Sequence, residues 1–95
     1  GNATELRRLL DEDPALVHVE DQEGERPLME ACRSGHVEAA RLLLDRGALV
    51  DATDLGGQTA LLEACYWQHV DVVTLLLERG ADPSLHDEDS RTALT

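Results

Sequence analysis

Between Val37 and Arg46 the apolar residues fall at Val37, Ala40, Leu43 and Leu44. That three-and-four spacing lines one face of a helix. Gly47 follows, and glycine ends helices by taking the left-handed conformation that other residues avoid. A shorter apolar run comes before it. It starts at Pro27, where proline suits a first helical position, and stops at Gly35. From Ala48 to Gly57 the helical period vanishes, and Asp and Gly supply turn signals. The pattern therefore predicts a short helix from Pro27, a second helix over 37–46, and an extended, hairpin-like loop.

The whole pattern then returns after 33 residues. "EAC" at 30–32 recurs at 63–65, "HV" at 36–37 recurs at 69–70, "LLL" at 42–44 recurs at 75–77, and "RGA" at 46–48 recurs at 79–81. "SRTAL" at 90–94 matches "GQTAL" at 57–61, and "ELRRLLDEDPALV" at 5–17 aligns with "EAARLLLDRGALV" at 38–50. The chain divides into a partial first unit (2–23), two full units (24–56 and 57–89) and the start of a truncated one (90–95), together a single domain over 1–95. A helix pair this short cannot bury its apolar face alone, whereas stacked copies share a continuous Leu/Val/Ala seam. The architecture expected is all-α, a solenoid of stacked helix–turn–helix units. Arrays of this kind normally need three or more repeats with polar ends, so the chain reads as a piece of a longer array.

The stretches "RPLMEAC", "TALLEAC", "GHVEAARLLLDRGA" and "HVDVVTLLLERGADP" resemble the ankyrin repeat family, and the match runs nearly end to end. The resemblance implies hairpin-like loops and a concave face, lined by loop tips and first helices, where protein partners bind. There are departures. The family's Thr-Pro-Leu-His becomes Arg26-Pro27-Leu28-Met29 in one unit and Thr59-Ala60-Leu61-Leu62 in the next. Thr59 is a good N-cap; Arg26 is a poor one, at a cost of about 1 kcal/mol. Gln68 stands where Gly35 stands one unit earlier, so that turn must strain or reshape.

Charge narrows the partners. Twenty acids face eight bases, giving −12, and every base is Arg. Nucleic acid and anionic membranes are held through basic clusters, so neither is expected as a partner; the acidity either keeps the domain soluble or favours basic partners. No apolar run reaches the 18 residues of a membrane span. No catalytic motif is present: "LGGQT" lacks the Lys of a phosphate-binding loop. The chain is read as a non-enzyme with no cofactor and no metal. Of its histidines, His18, His36, His69 and His86, the second and third are equivalents, too far apart in a stack to share zinc; each is expected to bond nearby backbone. Cys32 and Cys65 are also equivalents, expected as two buried free thiols. Thiols of that kind suit a reducing compartment, so a cytoplasmic or nuclear location is expected.

"EACYWQH" at 63–69 holds the only two aromatic residues, Tyr66 and Trp67. They align with Arg33 and Ser34, so the position does not repeat as core. Carried over by position, the concave face is lined by Gln22, Glu23, Glu25, Glu30, Arg33, Ser34, Leu55, Gln58, Glu63, Tyr66 and Trp67, then Glu88, Asp89 and Arg91. Tyr and Trp are enriched at binding hot spots, and flanking acids orient a basic partner. Trp67 is open to a second reading, as a prop beneath a turn that lacks its Gly or as a surface covered by a following repeat. The function expected is binding of a protein or peptide segment of basic character. The alternatives are a structural spacer in a larger protein and a methyl-lysine or basic-tail reader. Two ring residues adjacent on a helix are expected to point apart, which makes a poor cage.

Overall fold

A computed structural model describes residues 2–85 and residue 87. His86, Glu88, Asp89, Arg91 and the truncated unit at 90–95 lie outside the described residues. Helix α1 spans Asn2–Glu12, and a 3-10 turn follows at Pro14–His18. α2 covers Pro27–Ser34, α3 Val37–Asp45, α4 Ala60–Tyr66 and α5 Val70–Glu78. The periodicity did not anticipate the 3-10 turn. It forms because the Asp13 carboxylate accepts from the Ala15 N–H at 3.2 Å and Pro14 supplies a helical φ at the first position.

α2 packs on α3 and on α4, α4 packs on α5, and α1, α3 and α5 stack in series. The result is an inner layer of α2 and α4 and an outer layer of α1, α3 and α5. The fold is an all-α solenoid of stacked helix–turn–helix units. Its core is one aliphatic cluster that runs from Leu10 and Val17 through Leu28, Cys32, Ala40 and Leu43 to Leu61, Ala64, Val72 and Leu76. The buried stripe of α3 is wider than the spacing suggested, since Ala39 and Leu42 are also buried. α3 touches neighbours on two sides, α2 within its unit and α1 and α5 in the outer layer.

The caps differ between units in the way their side chains dictate. Arg26 and Thr59 have nearly the same backbone, at φ −109°, ψ 161° and φ −112°, ψ 168°. Thr59 Oγ1 accepts from the Leu62 N–H at 3.2 Å. Arg26 makes no such bond, because its side chain carries only donors.

The end of α2 is the tightest joint between units. Gly35 has φ +76°, and the N–H groups of Gly35 and His36 bond back to the carbonyls of Cys32 (3.3 Å) and Ala31 (2.9 Å). This is the paired closure of a left-handed helix end. The His69 ring from the next unit lies on Gly35: a Cβ built there would stand 2.7 Å from Nδ1. His69 Nε2–H donates to the Arg33 carbonyl at 2.9 Å, one of the last-turn carbonyls that α2 cannot satisfy itself. His69 thus makes the backbone bond expected of it. His36 is exposed and makes none among the described residues.

Two weaker ties follow the same register. Arg46 after α3 reaches Asp11 on α1 at 2.6 Å, and Arg79 after α5 reaches Asp45 on α3 at 2.8 Å. Both pairs are partly exposed, so each is worth about 1 kcal/mol or less. The loops close as hairpins. Asp21 Oδ1 accepts from the N–H groups of Glu23 and Glu25, and Asp54 Oδ1 from those of Gly56 and Gln58. The Leu55 N–H then donates to the Glu23 carbonyl at 2.9 Å and ties one tip to the next.

Two stability changes are expected. Arg26→Thr restores the missing cap acceptor and raises stability by about 1 kcal/mol in urea unfolding. Gly35→Ala puts a Cβ into the His69 ring and forces an alanine to positive φ, and lowers stability by about 2 kcal/mol or more. A Gly35→Ala protein with the parent urea midpoint would show that the His69 packing carries no weight.

Candidate partner-binding surface

α4 ends early, at Tyr66, with Trp67 as its C-cap. Gln68 then takes φ +61°, the sole positive φ outside glycine among the described residues. The turn is strained and keeps its shape. Gln68 and His69 make the same two closing bonds as Gly35 and His36, to the carbonyls of Cys65 (3.1 Å) and Ala64 (2.9 Å). A non-glycine residue there costs about 1 kcal/mol.

The helix end leaves both aromatic rings in solvent. Tyr66 is 66% exposed and Trp67 52%. The rings do not point apart, as their adjacency suggested. They meet edge to face, with centroids 5.1 Å apart and planes at 79°. Trp67 caps α4 at φ −89°, ψ 4°, its N–H bonded to the Glu63 carbonyl at 3.1 Å.

Position in the stack also speaks against a covered Trp67. Ser34 and Arg33 are the equivalents one unit earlier, and that unit has another packed against it. Ser34 is nevertheless exposed, and the Arg33 side chain keeps 39% exposure. The His seat is missing as well. His69 rests where Gly35 has no Cβ, whereas Gln68 fills that place with its own side chain.

The acids of the inner face are close enough to act on one another. Burial pushes the Glu25 carboxyl above its ordinary value; Arg33 partly opposes this, and Asp21, Glu30 and Glu63 reinforce it. Arg33 and Glu25 form an ion pair in which the Glu25 side chain is 16% exposed. Both residues were expected to face a partner singly; the fold makes them face each other. Gln58 Nε2–H donates to Asp87 Oδ2 at 2.6 Å. Leu55 remains open at 73% exposure, and Gln22, Glu23 and Glu30 are exposed too. Beside α2 an open cavity of about 210 Å³ is lined by Val19, Glu20, Asp21, Glu25, Arg26, Pro27 and Glu30. Val19 and Glu20 escaped the sequence reading, because they precede the hairpin and carry no repeat signature.

The thiols need one correction. Both are free, but only Cys32 is buried; Cys65 is half-buried. Burial pushes the Cys32 thiol up to about 12, with the Glu63 charge adding to it, and raises Cys65 in the same direction. Neither has the thiolate character of a nucleophile. Among the described residues no group of three or more His, Cys, Asp or Glu gathers to hold a metal, and no helix is long and apolar enough to cross a membrane.

A family model of ankyrin repeats, in three copies, matches residues 1–87. The chain belongs to the ankyrin repeat family. Ankyrin repeats are generally protein–protein interaction modules and typically carry no enzymatic activity of their own. The resemblance drawn from "TALLEAC" and "HVDVVTLLLERGADP" is therefore sound, departures included. A search of curated proteins finds no match.

The Glu25 shift yields a pH test. A carboxyl raised in the folded state destabilises once it ionises, so its share of stability is highest below the unfolded value of 4.5 and is lost as pH rises through the folded value. Glu25→Gln removes that loss. Its stability relative to the parent should therefore improve as pH rises from 4 to 7, measured by urea unfolding at each pH. A difference that stays flat across this range would show that Glu25 is not raised.

Proposed function

We propose that this ankyrin array binds a protein or peptide segment of basic character on its inner, concave face. The Tyr66–Trp67 pair would anchor the segment and the acids around it would orient it. The carrying observation is the exposed ring pair at the end of α4, beside a strained turn. Strained residues held in place by their surroundings gather at functional sites, and here the strain adjoins the only two aromatic residues of the chain. Charge supports the same reading. The chain carries −12, and Glu30 and Glu63 add their field to that of Glu25, whose ion pair among the described residues is with Arg33. An aromatic anchor that a partner would desolvate, within a charged surround, combines a hot spot with electrostatic steering.

A second reading, a spacer within a longer array, has its own observation. Val70 and Leu77 on α5 are 74% and 46% exposed. Their equivalents on α3, Val37 and Leu44, are partly buried against the core, and α3 has α5 packed beside it. This reading expects self-association through the α5 face, so a rise in scattering mass with concentration favours it. A methyl-lysine reader has less behind it, since two rings supply only two walls of a cage.

Trp67 is the only tryptophan and reports on the site directly. Acrylamide should quench it strongly, and a cationic peptide should protect it in a salt-dependent way. Trp67→Ala should weaken that peptide's binding at least tenfold, about 1.4 kcal/mol, when followed by anisotropy of a labelled peptide. Unchanged affinity would sink the proposed anchor.

A further inference from the structure

The ring pair is more selective than a flat aromatic patch. Its planes stand at 79° with centroids 5.1 Å apart, so Tyr66 and Trp67 form an open corner with two walls at nearly a right angle. Both residues are more than half exposed. Glu63 lies one helical turn before Tyr66 on α4 and is partly exposed. It acts on Glu25, which already has Arg33 as its counter-ion.

We infer that the corner receives an arginine side chain of the partner and selects it over lysine; this rests on the basic-partner reading above. A guanidinium is flat. It can stack on one ring while its N–H edge meets the face of the other, and it keeps donors free for a carboxylate. An ammonium is a compact, strongly hydrated point charge that engages one face at a time and gives up more hydration to do so. Glu63, the one carboxylate on α4, forms no ion pair among the described residues. The surrounding acids attract either cation, so charge accounts for binding and the geometry of the corner for the choice between them.

The test uses the intact chain with Trp67 fluorescence as the signal. The probes are a capped Gly/Ser peptide with arginines at alternate positions, the same peptide with lysines, and the same with citrullines, which keep the planar shape without the charge. The arginine peptide should bind about fivefold tighter than the lysine peptide, and the citrulline peptide should not bind measurably. In Tyr66→Leu, which retains the reporter and changes an exposed residue, the preference should fall to about one while both cations still bind. Circular dichroism confirms that the variant stays folded. Equal affinity for arginine and lysine in the parent overturns arginine selection and leaves the basic-partner reading intact. A preference that survives in Tyr66→Leu overturns the corner as its source. If neither cationic peptide changes Trp67 fluorescence, or if citrulline binds as well as arginine, the basic-partner reading fails and this inference with it.

Discussion

Helices of seven to nine residues do not hold in water by themselves, and α2 to α5 are all of that length. Every one of them depends on a neighbour that covers its apolar stripe. The neighbour must sit in one register, because small residues such as Ala31, Ala40 and Ala64 let the layers close only at matched positions. His69 on Gly35 holds that register at the helix ends: an aromatic ring fills the space a side chain would take, and a hydrogen bond closes an orphan carbonyl. The ion pairs along the outer layer follow from the alignment and add little to it.

The two units resolve the same turn differently, and the difference lies at the proposed site. Gly35 gives a relaxed left-handed end and a seat for the next unit. Gln68 gives the same end under strain and no seat. The unit that carries the strain also carries the exposed rings. The strained turn and the proposed anchor thus share one short stretch, 66–69.

The inner face shows how charges rearrange once a chain is folded. Glu25 and Arg33 read separately as surface groups, yet the fold turns them toward each other, and what remains outward is Glu30, Glu63 and the rings. Gln58 likewise ties two loops through Asp87. Fewer of the residues that the repeat register placed on this face are therefore left without a partner within the fold.

The 33-residue offset, the helix spacing around Leu43 and Leu76, and the Gly and Thr punctuation were enough to read the layers from the chain alone, because repetition and helix period are local properties of sequence. The strain at Gln68 was legible too, as a missing glycine at a known position. The ring pair was legible only as an oddity of alignment. That Tyr66 and Trp67 touch depended on where α4 ends, and that they stay open depended on how unit packs on unit. The pairing of Glu25 with Arg33 and the half-burial of Cys65 were likewise settled in three dimensions. Such contacts join side chains whose directions are set by packing, and a one-dimensional pattern records spacing but not direction.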